Sequence, residues 1–195
     1  MKNLSKSKNY EEAQAYSNVE KLPIGAYVLK IQKVKYEEGQ NGMSDVIVFA
    51  FDIEQGDFKD FFRRNFEGQT QEDKKWKGTY RLYVPKDDGS EQDTWTTRRF
   101  KTVMNNFEES NTGYVWNWDE KTLEGKLIGA IFNEKEYDFN GRHGFFTNCY
   151  SLVSTTQVTS GSCKIPEPTM LKGNSQATTT DSSFLDKNGE EELPF

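Results

Sequence analysis

Phe58, Phe61, Phe62 and Phe66 interleave with Lys59, Arg63, Arg64 and Asn65 in one short stretch. In a strand, alternate residues share a face. Phe62, Arg64 and Phe66 would then lie on one side, with Phe61, Arg63 and Asn65 on the other. A barrel strand needs apolar groups on its inner face only, so one side would show rings beside guanidinium groups to solvent. That is the chemistry of single-strand binding, in which bases stack on rings and cations meet phosphates. The competing reading buries both sets of rings and pairs the arginines with nearby acids.

A second cluster follows. The segment from Glu72 to Arg81 sets Trp76 among Lys74, Lys75, Lys77 and Arg81, with Tyr80 beside them. A tryptophan in a polar loop either stacks on a ligand ring or folds back as a lid on the core. Arg142 joins Phe139 and His143 in a turn-rich stretch, and Arg98, Arg99 and Lys101 cluster earlier in the chain. Trp116 and Trp118 have same-face strand spacing and read as packing before ligand contact. The candidate contacts for a single strand are thus Phe62, Arg63, Arg64, Phe66, Lys74, Lys75, Trp76, Lys77, Tyr80, Arg81 and Arg142.

Other chemistries have little to work with. His143 is the single histidine, and no serine, cysteine or second histidine lies near it in sequence to suggest a catalytic dyad. The two cysteines, Cys149 and Cys163, cannot form a CxxC zinc site or a disulfide framework. Asp45, Asp52, Glu54 and Asp57 are dense enough for a magnesium ion, but no motif fixes them. The expectation is a binding protein, not an enzyme, with no cofactor. No apolar run is long enough to span a membrane, and the first residues lack a signal-peptide pattern. A cytoplasm with reduced thiols is the expected location.

The elements that must position these groups read from the 195-residue pattern. Strands are predicted over 26–36, 45–53 and 58–66, with a further extended run over 80–84. Phe100, Val103, Met104 and Phe107 recur at helical spacing, so a helix is predicted over 93–110, capped by Asp93 or Thr94. Two more strands cover 125–139 and 144–153. The order β-β-β-α-β-β is that of an OB-like, five-stranded barrel. The class is all-β with one helix.

Composition divides the chain into a polar arm over 1–21, a barrel domain over 22–172 and a tail over 173–195. The tail has too few apolar groups to offset its ordering entropy and is expected to be disordered. It carries four of the six net negative charges, leaving −2 on the rest. It ends Glu190-Glu191-Glu192-Leu193-Pro194-Phe195, an acidic run closing on an exposed ring and a carboxylate. Such an end suits a partner with an apolar pocket rimmed by Lys and Arg.

That tip resembles the acidic tip of bacterial single-stranded-DNA-binding proteins. The body resembles a bacteriophage family taken to supply phage single-stranded-DNA-binding proteins. The matching segments are Leu22–Tyr27, Gly56–Lys59, Glu109–Asp119, Leu123–Gly129 and Lys164–Pro168. The resemblance implies sequence-independent binding of single-stranded DNA in phage replication or recombination, in the host cytoplasm. It also implies recruitment of replication, recombination or repair proteins. Pro194 and Phe195 would anchor the tip and Glu190 to Glu192 would steer it. The body is not close to the bacterial proteins, so their tetramer does not carry over and the oligomeric state stays open. Two alternatives stand beside this reading: a module acting on a host protein without touching DNA, and a strand-annealing protein.

Overall fold

The computed structural model describes residues 20–40, 42–139 and 141–171. Five strands run β1 (Gly25–Glu37), β2 (Val46–Ile53), β3 (Thr79–Tyr83), β4 (Leu127–Phe139) and β5 (Arg142–Val153). Three α-helices accompany them: α1 (Phe61–Glu67), α2 (Glu91–Ser110) and α3 (Thr155–Thr159), with a 3-10 turn at Glu120–Leu123. All strand pairs are antiparallel, in the order β3-β2-β1-β4-β5. The sheet is open. Its edges are β3 and β5, and α2 packs against both of them and against β4. Arg99 of α2 donates to the Tyr80 hydroxyl of β3 at 2.7 Å, and Asn106 donates to the Leu152 carbonyl of β5 at 3.1 Å.

Period-two burial explains the strands. Ile47, Phe49, Phe51 and Ile53 of β2 point inward, beside Tyr80 and Leu82 of β3 and Leu29, Ile31 and Val34 of β1. The register of β1 slips between Ile31 and Lys33, and this bulge lets Gln32 drop out of the alternation. Ile128, Ala130 and Phe132 of β4 continue the inner face, and Phe100, Val103, Met104 and Phe107 of α2 cover it. Phe51 meets Phe62 and Phe132 edge to face at 5.4 and 6.1 Å, a favourable ring geometry. Ser90, rather than Asp93 or Thr94, caps α2 by accepting from the Asp93 N–H at 3.0 Å.

The stretch predicted as a strand over 58–66 is mostly helical. Phe58, Phe61, Phe62 and Phe66 fall at i, i+3, i+4 and i+8, one stripe of a helix. Consecutive Phe61 and Phe62 are both buried, as neighbouring positions of that helical stripe. Asp60 precedes the helix in the left-handed region and its side chain caps nothing. The cap comes from β2 instead: the buried Asp52 carboxylate accepts from the Phe62 and Arg63 N–H groups at 2.9 and 3.0 Å. The third strand is Thr79–Tyr83, and α1 stands between it and β2, so the observed order is β-β-α-β-α-β-β-α with three α-helices, in place of the expected β-β-β-α-β-β with one.

Two backbone edges are closed without strands. The β1 edge beyond β4 is met by the 3-10 turn region, with the Ile31 N–H donating to the Lys126 carbonyl and the Gly125 N–H to the Ile31 carbonyl. The far half of β4 is met by residues 167–171, where Thr169 bridges Lys135 in parallel and the Leu171 N–H donates to buried Glu136. Among the described residues no helix is long and apolar enough to cross a membrane.

Candidate nucleic-acid interface

The outer face of β1, β2 and β3 is the surface that the fold leaves open. Register places Lys33 opposite Ala50 and Lys35 opposite Val48 on one side of β2. Thr79, Arg81 and Tyr83 lie opposite Ala50, Val48 and Val46 on its other side. Lys33, Lys35, Thr79, Arg81 and Tyr83 are exposed, while Val48 and Ala50 are half-buried between them. The cations on β1 therefore recur at about 6.6 Å, two strand residues apart. They flank a shallow apolar floor, with Tyr83 at one end.

Glu37 ties two of these cations together. Lys35 Nζ lies 3.0 Å from its Oε1 and Arg81 Nη2 lies 3.1 Å from its Oε2. The bond from Lys35 and the nearby Arg81 charge hold the Glu37 carboxyl below its ordinary value, against some desolvation. At the same end Asp45 accepts from the Gly39 N–H at 2.8 Å and from the Tyr36 hydroxyl. Those bonds push the Asp45 carboxyl down and the Tyr36 phenol up.

The first cluster read from the sequence splits. Phe62 is 8% exposed, inside the ring core, so it presents no face to a base. Arg63 and Arg64 project from α1 and pair with Asp60 and Glu20 at 3.5 and 3.7 Å. Phe66 is half-buried against Trp76, their centroids 5.8 Å apart, with Lys74 Nζ 5.9 Å from the Phe66 ring. The structure thus brings Phe66, Lys74 and Trp76 together, although on a helix and loop.

Trp76 folds back. Its indole N–H donates to the Phe51 and Gly78 carbonyls at 3.2 and 3.1 Å, which makes it a lid on the end of β2. Gly78 makes this possible, since a Cβ there would meet the Phe51 carbonyl at 2.4 Å and the Phe62 ring at 2.7 Å. Gln69 holds the loop by bonding both backbone groups of Lys75 at 2.8 Å. Lys77 is exposed where the loop enters β3.

Tyr80 and Arg81, neighbours in sequence, part company across the sheet. Tyr80 is 6% exposed on the inner face, bonded to Arg99, and burial raises its phenol pKa. Only Arg81 reaches the outer strip. Arg142 stands exposed at the start of β5, apart from the other candidates. The tip residues Glu190, Glu191, Glu192, Leu193, Pro194 and Phe195 lie outside the described residues, as does the whole 173–195 tail.

Lys33, Lys35 and Tyr83 are absent from the sequence-derived set. Lysines two apart around Val34 were a readable signal, but only a bulge at Gln32 gives them the outer face. Two of the four acids considered for magnesium are otherwise engaged: Asp52 caps α1 and Asp45 holds Tyr36. Among the described residues no group of three His, Cys, Asp or Glu could hold a metal ion. The arrangement is suited to holding a ligand through charge and flat contact. No protein-family model matches the chain, and no curated protein does.

Proposed function

We propose that this protein binds single-stranded DNA without regard to sequence, along the outer face of β1, β2 and β3. The observation that carries the reading is the exposed strip of Lys33, Lys35 and Arg81 around Val48 and Ala50, with Tyr83 at its end. Cations on both sides of a shallow apolar floor match a strand whose phosphates lie outward and whose bases lie flat. The chain order and the neighbour order support an OB-like reading, an open barrel of five strands. In that architecture the face of strands 2 and 3 and the adjoining loops take oligonucleotides. Lys77, Lys74, Phe66 and the α1 arginines extend the surface past the β2 end of the strip.

The test is titration of the full chain with a fluorescent oligo-dT of about 30 nucleotides, with matched duplex as competitor. Saturable binding that duplex does not displace is expected. No binding at low salt, or equal preference for duplex, overturns the reading.

A further inference from the structure

Trp118 lies in the loop between α2 and β4, far along the chain from the strip. It is 75% exposed, the most exposed of the large rings among the described residues. Its backbone sits at φ 66°, in the left-handed region that a bulky residue adopts only under constraint. Bonds on both sides impose it. The Trp116 N–H donates to Glu108 at 2.9 Å, the Asp119 N–H to Asn117 at 3.2 Å and the Lys121 N–H to Asp119 at 3.0 Å.

The constraint has a geometric result. The indole lies nearly parallel to the Phe100 ring, at 14° and 5.9 Å, with Trp116 at 6.2 Å. Trp118 therefore overlaps the buried Phe100 ring along only part of one face, and most of the indole is open to water. Its neighbours Asn117 and Asp119 are exposed and polar. A protein side chain seeks a concave apolar pocket. A flat ring with a polar rim instead matches a planar, polar-edged π system. Beside it Tyr114, Val115, Asn117 and Lys126 line an open hollow of about 460 Å³, with Lys126 Nζ 4.8 Å above the Tyr114 ring. Lys101 stands exposed next to Phe100.

We propose that Trp118 is a stacking seat for an unpaired nucleobase, with the adjacent hollow and Lys126 receiving the sugar and phosphate of that nucleotide. This rests on the single-strand reading above and extends it to a second place on the molecule.

The test compares Trp118→Ala and Trp118→Phe with the unaltered full chain, using the same oligo-dT and the melting temperature. Stacking on one ring accounts for a change of about fivefold or more in affinity. Trp118→Ala is expected to weaken binding by that factor while the melting temperature moves little, since the ring is mostly exposed. Trp118→Phe is expected to keep most of the affinity and to lose part of the tryptophan quenching that binding causes. If the unaltered protein binds and Trp118→Ala binds equally well, the seat is wrong and the strip stands. If Trp118→Phe falls as far as Trp118→Ala and both melt early, the ring is structural and the proposal fails. If the unaltered protein binds no strand, both readings fall.

Discussion

Glu37 is a carboxylate placed where a phosphate of the proposed ligand would go, between Lys35 and Arg81. Exposed ion pairs of this kind contribute little to stability, typically under about 1 kcal/mol. Their consequence for binding is larger, because each phosphate must first displace the internal anion. Glu37→Gln frees both cations and is expected to tighten oligo-dT binding by about threefold to tenfold at low salt. Anisotropy titration reads this directly; unchanged or weaker binding would mean that the strand avoids the strip. The pH sign follows from the lowered Glu37 pKa. Its pairing contributes fully above the ordinary carboxylate value of 4.5 and is lost as pH falls through the lowered one. Between pH 6 and 8 the wild-type chain should therefore show no step in affinity from this group.

Among the elements, α1 shows most plainly how a distant residue chooses local structure. Its seven residues are too few to form a stable helix alone. Packing of Phe61 and Phe62 and the Asp52 carboxylate at its N-terminus hold it in place. Asp52 is 1% exposed and also accepts from its neighbour Ile53 at 2.8 Å. Asp52→Ala would strand those N–H groups in a buried site and should cost about 2–4 kcal/mol. Urea unfolding measures it, and a loss below about 0.5 kcal/mol would show that α1 does not depend on this cap. Because the loop carrying Trp76 hangs from α1, the same variant should also expose that indole to collisional quenchers.

For the whole molecule, net charge opposes the proposed ligand. The chain carries −6 in all, so attraction must come from a local concentration of cations rather than from the overall field. Lys33, Lys35, Lys77 and Arg81 allow about three to four phosphate contacts. For a single strand that gives a slope of about −2 to −3 in log K against log salt. A slope near zero would remove phosphate contacts from the account. A much steeper one would require the α1 arginines and Lys74 as well. The open sheet belongs to this scale too, since α2 reaches from Tyr80 to Leu152 across the gap between the edge strands.

The sequence by itself located β1, β2, β4, β5 and α2: the strands as β-rich runs between turns, and the helix by the spacing of Phe100, Val103, Met104 and Phe107. It also placed Trp76 and Phe66 among cations. Sides and partners were decided by tertiary structure. The i, i+3, i+4, i+8 stripe of phenylalanines was present in the sequence, but a helix of that length needs the carboxylate of Asp52 from another element. Tyr80 and Arg81 look equivalent as letters, yet pairing with β2 sends one to the core and the other to solvent. A one-residue bulge in β1 turns Lys33 and Lys35 outward. Each of these outcomes depends on which backbone lies alongside, and side-chain direction in a strand reverses with every residue of register.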